Sequence, residues 1–187
     1  RVCEDIDAAK VLTDDFYSGF QATEHLIKKG CRQIAFIAMS ENLAIINHRQ
    51  HGYEEALRVH GLRLNKNLII NCKNSETDCL SIIRRKLKGK NRPDGIVGSV
   101  EKLTTAVYTV CNELKLKIPR DVKVISFSSL QIASLLNPSL TTITQPAFDI
   151  GKTAAKLLFN LLEKKKPDGQ GEAVVLPSIL VERESTQ

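Results

Sequence analysis

Long apolar runs are absent from this sequence, and none approaches the roughly 20 residues that a membrane-spanning helix requires. The N-terminus begins Arg1-Val2-Cys3 and lacks the charged segment followed by an apolar segment that marks a secretory signal. At 187 residues with 42% apolar content, the chain can bury a sizeable core as one large domain or two small ones. The sequence therefore predicts a folded protein and gives no indication of secretion.

The cysteines of the chain show no spacing that forms a motif. The chain has five cysteines, an odd number, and no two of them are spaced C-x-x-C. Disulfide frameworks and zinc sites usually show an even count or such a spacing. The thiols are therefore predicted to be small buried hydrophobic groups in a reducing compartment. They belong to Cys3, Cys31, Cys72, Cys79 and Cys111.

Sequence motifs of enzymes are missing as well. The chain contains no G-x-S-x-G nucleophile elbow, no Walker loop and no dinucleotide-binding G-x-G-x-x-G that opens a helix. Its four histidines show neither the H-E-x-x-H spacing nor a comparable metal-binding spacing. We therefore predict a protein that is not an enzyme and that needs no metal or cofactor. His25 is interpreted as a structural helix residue, and His48, His51 and His60 as facing solvent.

Acidic residues are outnumbered, since 27 Lys and Arg stand against 21 Asp and Glu, a net charge of +6. Such an excess can attract phosphate groups. The basic clusters fall at the ends of predicted helices, where cations complement the helix dipole, and no aromatic or glycine-rich segment alternates with them. The pattern favours solvated helix ends over a phosphate-binding face. The clusters are Arg84–Lys86 with Lys88, Lys90 and Arg92, and Lys164–Lys166.

Short apolar runs alternate with amphipathic helices along the chain. Most of these runs are apolar on both faces, which is typical of a parallel sheet covered by helices on both sides. The alternation predicts a doubly wound α/β fold. The predicted strands are Ile34 to Met39, Leu68 to Cys72, Gly95 to Val100, Val122 to Phe127, Thr141 to Thr144, Ala173 to Leu176 and Ile179 to Val181.

Glycines mark the ends of two predicted helices. The helix over 16–29 is expected to have Asp14 or Asp15 as its N-cap and to end at Gly30, and the helix from about 45 to 60 is expected to end at Gly61. A third helix over 76–88 carries acids in its first turn and bases in its last, as the helix dipole favours.

The run from Asn137 to Pro146 is neither helical nor strand-like throughout. Two prolines bracket its β-branched centre, so the chain is expected to leave one compact unit, form a short strand and begin a helix in the next unit. This run, followed by Ile150-Gly151-Lys152-x-Ala154-Ala155-x-Leu157-Leu158, resembles the effector-binding core of the lactose/galactose repressor (LacI/GalR) family of transcription regulators.

The resemblance extends over nearly the whole chain. Further segments occur in the order that the family has, and this order is more specific than any segment alone. Cys31 stands where the family usually has histidine. The segments are Asp14-Asp15-x-x-x-Gly19 with Glu24-His25-Leu26-x-x-x-Gly30, Arg49-x-x-Gly52-Tyr53-x-x-Ala56-Leu57, Ile118-Pro119-x-Asp121-Val122, and Leu176-Pro177-x-x-Leu180-Val181-x-Arg183-Glu184-Ser185.

The resemblance implies a periplasmic-binding-protein-like fold of type I. In that fold two α/β subdomains clamp a small effector, and the chain crosses between them three times. Carried onto this sequence, residues 1–39 and 140–164 would form part of an incomplete N-terminal subdomain. Residues 40–139 and 172–187 would form the C-terminal subdomain. The helix-turn-helix that comes first in the family has no signature in this chain.

The resemblance also implies a function. The chain would be the effector-sensing and dimerisation domain of a cytoplasmic bacterial transcription regulator. Its expected partners are a sugar or related metabolite, operator DNA bound through a helix-turn-helix outside this chain, and a second copy in a homodimer, with no membrane. A periplasmic sugar-binding protein is the alternative, but it should carry an export signal and usually avoids free cysteines. A small α/β enzyme would need a catalytic constellation that the sequence does not show.

Ligands of open α/β sheets bind beyond the carboxyl ends of the strands, so polar residues that follow strands are site candidates. Arg49 is the first of these candidates, because a basic side chain near the start of a helix is not stabilised by the helix dipole. Its planar guanidinium group can bind vicinal hydroxyls or a carboxylate. An ion pair with Glu54 or another surface acid is the alternative. The resemblance favours the functional role, since Arg49 matches the family's effector-contacting arginine. Arg49→Ala is then expected to abolish ligand response and to leave folding intact.

Four more ligand-binding candidates are weaker. Ser128 follows a predicted strand where the family usually has an acid, and a role as N-cap of a helix over 131–136 is equally open. Glu101 is either a ligand contact or a first-turn helix acid. Asn74 is a loop residue whose ordinary role is to lead into a helix. Arg1 resembles the arginine of an Asp-Arg pair at the family's cleft, although terminal residues often fray.

Overall fold

A computed structural model of the chain describes residues 8–39, 43–72, 76–128, 132–163 and 173–187. The strands are β1 (Lys10–Thr13), β2 (Ile34–Met39), β3 (Ile69–Cys72), β4 (Gly95–Gly98), β5 (Lys123–Phe127), β6 (Thr141–Thr144), β7 (Ala173–Leu176) and β8 (Ile179–Val181). The helices are α1 (Asp15–Lys28), α2 (Ala44–Val59), α3 (Glu76–Lys88), α4 (Glu101–Glu113), α5 (Ile132–Leu135) and α6 (Ala147–Glu163). Short 3-10 helices cover Lys66–Leu68 and Glu184–Thr186.

The strands form two sheets. Six of them follow the order β3-β2-β4-β5-β6-β8, and β1 pairs with β7 in a separate two-stranded sheet. Every pairing is parallel except that of β6 with β8. The predicted doubly wound, mainly parallel α/β fold is confirmed. β1 is missing from the predicted strands, because four residues with one lysine carry too little apolar pattern to be recognised.

The two faces of the six-stranded sheet are covered by different helices. Side chains alternate along β2: Phe36 and Ala38 pack in a cluster with residues of α1 and α2, whereas Ala35 and Ile37 pack in a cluster with residues of α3 and α4. The first five residues of β2 are buried. This strand therefore lies at the centre of a three-layer sandwich, which is why its sequence is apolar at consecutive positions.

Glycine ends both helices on the α1–α2 face, as predicted. Gly30 has a φ of 92° and Gly61 a φ of 68°, in the left-handed region that glycine adopts without steric cost. The residue after each glycine donates its backbone N–H to a carbonyl in the last turn of the helix. Cys31 donates to the Leu26 carbonyl at 3.0 Å, and Leu62 donates to the Leu57 carbonyl at 2.9 Å. These contacts are Schellman motifs, and they return the chain to the sheet.

The predicted division into subdomains is wrong. It grouped 1–39 with 140–164, and 40–139 with 172–187. In the structure β2 pairs with β3 and β4, and β6 pairs with β5, so both belong to the six-stranded sheet, whereas β7 pairs with β1. A strand that is apolar on both faces, such as β2, needs a strand on each edge and a helix on each face. The crossings between the two sheets therefore come after β1, after β6 and after β7.

The C-terminal residues are fastened to the sheet by buried hydroxyls. Ser185 donates to the Val124 carbonyl at 2.6 Å and accepts the Thr141 backbone N–H at 2.8 Å. Thr186 shares hydrogen bonds of 2.8 Å with Thr141 and with His25 Nε2. The side chains of Ser185 and Thr186 are fully buried. His25 thus has the structural role that the sequence predicts, because it links α1 to the end of the chain.

His25 should make the stability of the fold depend on pH. Burial lowers the pKa of His25 below its usual 6.5, against an opposing effect of Glu182. The unfolded chain therefore binds this proton more readily, so the stability that His25 contributes is complete above pH 6.5 and falls as the pH drops toward the lower folded-state pKa. We expect urea unfolding between pH 7.5 and 5.5 to show this loss, and a smaller loss in His25→Gln. Identical pH dependence in the two proteins would contradict the assignment.

Four cysteines lie within the described residues, and all four are buried free thiols, as predicted. Burial raises the pKa of Cys31 to about 12 and that of Cys111 to about 11. Such thiols carry almost no thiolate at neutral pH and behave as apolar groups. Cys3 lies outside the described residues. Among the helices that are described, none has the length and apolar character needed to cross a membrane.

Candidate functional site

The candidate site lies at the carboxyl edge of the six-stranded sheet, between that sheet and β1. Ser99 follows β4, Ser128 follows β5 and Gln145 follows β6 at this edge. Helix α1 begins directly after β1, and α2 begins at Ala44, so the first turns of both helices reach the same place. The edge therefore brings together residues that are more than 100 positions apart in the sequence.

Arg49 is the central charged residue of this site. Its side chain is only 4% exposed, and its Nε donates to Asp15 Oδ1 at 2.7 Å. Its Nη1 donates to the Ser99 carbonyl at 2.6 Å. The guanidinium carbon lies 3.9 Å from the centroid of the Phe127 ring, a cation–π geometry. Arg49 thus joins α1, α2 and the ends of β4 and β5.

Burial dominates the electrostatics of Arg49. It lowers the pKa of the guanidinium, and the charge and hydrogen bond of Asp15 act in the opposite direction. A buried cation needs such a partner, because an unpaired charge in a low-dielectric interior is very costly. The alternative of an ion pair with an acid therefore describes Arg49 correctly, but the acid is Asp15 and not Glu54, which accepts a hydrogen bond from Gln50 at 2.9 Å. The acid that pairs with Arg49 comes from α1.

Two glycines let α1 and α2 approach closely enough for this pairing. A Cβ on Gly19 would lie 2.1 Å from the Arg49 carbonyl oxygen, and a Cβ on Gly52 would lie 2.0 Å from the Phe16 carbonyl oxygen. The two helix backbones are therefore in direct contact at Gly19 and Gly52. This contact fixes the position of the α2 backbone at Arg49.

Hydrogen bonds connect the Arg49 pair to two of the crossings between the sheets. Thr13, the last residue of β1, donates its hydroxyl to Asp15 Oδ2 at 3.2 Å. Gln145, which follows β6, donates to the same Thr13 hydroxyl at 2.8 Å. A continuous path therefore runs from Gln145 through Thr13, Asp15 and Arg49 to the Ser99 carbonyl, and it ties β1 to the six-stranded sheet.

A cavity of about 350 Å³ opens beside this path. It is lined by the four residues of β1, by Asp15, by Leu43 and the first turns of α2 including His48, and by Ile150 of α6. The volume suits a small metabolite. The lining comes from elements attached to both sheets, so a ligand here would contact both. Arg49 itself does not line the cavity and reaches it through Asp15.

The other predicted site residues do not line the cavity or lie outside the described residues. Ser128 is 7% exposed and its backbone N–H donates to the Ile143 carbonyl at 3.2 Å, so it lies at the site edge. Glu101 is the first residue of α4 and a first-turn acid, which was the alternative to a ligand contact. Neither residue lines the cavity. Asn74 and Arg1 lie outside the described residues.

Sequence reasoning did not assign Asp15 or Thr13 to the site, and it interpreted His48 as facing solvent although His48 lies in the stretch after β2 that holds site candidates. Asp15 was interpreted as a possible helix cap, but Asp14 is the cap and accepts the Tyr17 N–H at 2.8 Å. Thr13 was missed because β1 was missed. His48 was predicted to face solvent; it is exposed, but it lines the cavity. An acidic pair directly after Lys10–Thr13 was the available signal, because polar residues that follow a strand are site candidates.

Two buried hydroxyls near the site lack a partner. Within the described part of the chain, Ser99 Oγ and Thr104 Oγ1 are buried and find no hydrogen-bond partner. Buried polar groups are nearly always satisfied, so such groups often mark functional regions. The described residues contain no group of three or more His, Cys, Asp or Glu side chains that could hold a metal ion. The polar groups of the site that are described can act as hydrogen-bond donors and acceptors.

Comparison with known proteins identifies the family to which the fold belongs. The family described as periplasmic binding protein-like domain matches residues 23–186. The chain belongs to this family. The predicted resemblance to LacI/GalR effector-binding domains is confirmed, because the similar curated proteins and solved structures are regulators of this type.

One similar protein is the HTH-type transcriptional regulator RegA of Clostridium saccharobutylicum, 29% identical over 177 residues, which cover 94% of this chain and 53% of RegA. A regulatory protein of the LacI family from Chloroflexus aggregans superposes with a TM-score of 0.89 at 26% identity, covering 99% of this chain and 66% of that structure. The LacI family regulator from Enterococcus faecium with bound ribose has a TM-score of 0.81 at 27% identity, covering 95% and 65%. The chain spans about half the length of the curated relatives it matches.

Proposed function

We propose that this chain is the effector-sensing part of a LacI-type transcription regulator, which binds a sugar or related metabolite in the cavity beside Arg49. The observation that carries the proposal is the buried Arg49–Asp15 pair, which stands between the two sheets and next to a cavity that elements of both sheets line. A ligand in that cavity would favour one arrangement of the sheets over others, and such a preference is how binding controls a distant activity.

The chemistry of the site supports a polyhydroxylated ligand. Asp15 and Thr13 offer acceptors, His48 adds a ring nitrogen, and the apolar Leu43 and Ile45 can pack against the carbon face of a sugar. The cavity is small, and its polar groups are few and already oriented by hydrogen bonds, as in sites that recognise small molecules. A similar solved regulator holds ribose, which supports the sugar class without naming the ligand of this chain.

The regulator reading is favoured over a transport protein, because the similar proteins are described as regulators and repressors. As part of the same proposal, a helix-turn-helix domain of the regulator would bind operator DNA. The ligand would act by binding alone, without catalysis. Homodimerisation and a cytoplasmic location complete the proposal.

A titration followed by backbone amide NMR tests the proposal. Ribose, other pentoses, hexoses and disaccharides are added singly to the isotope-labelled chain. We expect one class of sugar to cause saturable shifts at Thr13, Asp15, His48 and Arg49, and to raise the free energy of unfolding by about 2.7 kcal/mol at a ligand concentration of one hundred times Kd. If no sugar or related metabolite in the panel shifts these amides, the proposed effector site is wrong.

A further inference from the structure

A second cavity lies at the opposite edge of the six-stranded sheet, where β2, β3 and β4 begin. Its volume is about 620 Å³, and buried Ile34, Tyr53 and Leu57 contribute its apolar part. The polar part contains Arg32, Lys66 and a third cation from the loop between α2 and β3, together with one glutamine and three asparagines. No acidic residue is among the described residues that line it.

The net positive charge of the protein is concentrated in the segment of sequence that supplies much of the cavity lining. Residues 62–93 contain nine basic and two acidic residues, a net charge of +7. The remaining chain contains eighteen basic and nineteen acidic residues, so it is nearly neutral. The basic end of α3 reaches the cavity wall, because Lys86 Nζ donates to the Asn67 carbonyl at 2.7 Å. Like charges concentrated in this way raise the local potential for an anion.

The cations of the lining are not neutralised by nearby acids. Arg32 Nη1 donates to the carbonyls of Ile27 and Cys31, which fixes its position without an ion pair. Arg63, which also lines the cavity, and Lys66 have no ion-pair partner within the described part of the chain. Asp94 lies beside Arg32, but its two carboxylate oxygens accept the backbone N–H groups of Arg32 and Gln33, each at 2.8 Å.

We propose that this cavity binds a small phosphorylated metabolite through its phosphate group. Guanidinium and ammonium groups form the strongest hydrogen bonds to phosphate oxygens, and side-chain amides add neutral donors. The concave shape and limited volume fit a small molecule, whereas a protein partner or a duplex would need a larger and flatter surface. The cavity lies at the amino edge of the sheet and the effector cavity at the carboxyl edge, so this proposal stands or falls independently of the proposed function.

Inorganic phosphate and ribose 5-phosphate are the probes for a titration of the isotope-labelled chain. We expect saturable shifts at the backbone amides of Gln33, Leu64 and Asn67, with tighter binding of the ester than of inorganic phosphate. The double variant Arg63→Gln with Lys66→Gln is expected to weaken binding by about tenfold or more, because it removes two charge-assisted contacts. The thermal unfolding midpoint should hardly change, since both side chains are exposed.

The matched control is Lys152→Gln with Lys156→Gln, which removes the same charge from exposed positions of α6. We expect this control to bind ribose 5-phosphate as the unmodified chain does. Equal weakening in both double variants would overturn the proposal, because it would show general attraction of anions. The proposal would also be overturned if ribose 5-phosphate changed the chemical shifts only of amides at the carboxyl edge of the six-stranded sheet. Tighter binding of a random-sequence DNA duplex at the same amides would identify a nucleic-acid surface instead.

Discussion

Gly52→Ala is expected to destabilise the protein strongly. The added methyl group would lie 2.0 Å from the Phe16 carbonyl oxygen and 2.7 Å from the Phe20 nitrogen, both of them backbone atoms of α1. Neither atom can move without shifting the whole helix, so we expect an overpacking cost of about 3 kcal/mol or more. The higher helix propensity of alanine offsets only about 1 kcal/mol of that cost. Urea unfolding followed by circular dichroism measures the difference.

Gly151→Ala is the matched control for this substitution. Gly151 also lies inside a helix, α6, but a Cβ there would meet no atom within 4 Å. We expect this variant to gain up to about 1 kcal/mol of stability from helix propensity alone. Gly19→Ala should resemble Gly52→Ala, because its methyl group would lie 2.1 Å from the Arg49 carbonyl oxygen. If Gly19→Ala and Gly52→Ala were as stable as Gly151→Ala, the close contact of α1 with α2 would be wrong.

The sheet could be predicted from the sequence because its strands carry a strong and local signal. The unbroken apolar run over 34–39 and the mainly apolar run over 122–127 are explained by burial on two faces, whatever strand lies next to them. The helix ends at Gly30 and Gly61 are equally local, since a left-handed residue is needed where each chain segment turns back.

The pairing of segments could not be predicted in this way. A parallel strand such as β6 has the same pattern whether its neighbour is β5 or β1, so the order of motifs gave the fold but placed the subdomain boundaries wrongly. The partner of Arg49 was missed for the same reason. Asp15 and Glu54 are both acids with which Arg49 could pair, and only the close approach of α1 at Gly19 selects Asp15.

The structure changes the stability that we expect of Arg49→Ala. The sequence predicts that folding stays intact, but the side chain is 4% exposed and pairs with an Asp15 side chain that is 11% exposed. Removing one partner of a buried ion pair leaves an uncompensated charge, which typically costs about 3 to 5 kcal/mol. We therefore expect Arg49→Ala to lower the free energy of unfolding by that amount in a urea titration. A loss well below 1 kcal/mol would show that water compensates Asp15.

A variant that removes both charges separates the structural role of Arg49 from its role in binding. Arg49→Met with Asp15→Leu leaves no buried charge, and well-packed apolar replacements of buried pairs are often neutral in stability. We expect this double variant to fold and to bind the sugar identified by NMR ten- to a hundred-fold more weakly, because the site loses its charged hydrogen-bonding groups. Isothermal titration calorimetry measures that affinity.

The pair Arg58 and Glu55 provides the matched control on the same helix. Their side chains form an ion pair on α2, and neither residue lines the cavity. Arg58→Met with Glu55→Leu makes the same changes of charge and side-chain type, and it should alter neither stability nor sugar affinity appreciably. If Arg49→Met with Asp15→Leu bound sugar as tightly as this control, the buried pair would serve the fold alone. A selective loss of affinity would instead place the charged pair in the binding site, since a purely structural pair could be replaced without any effect on the ligand.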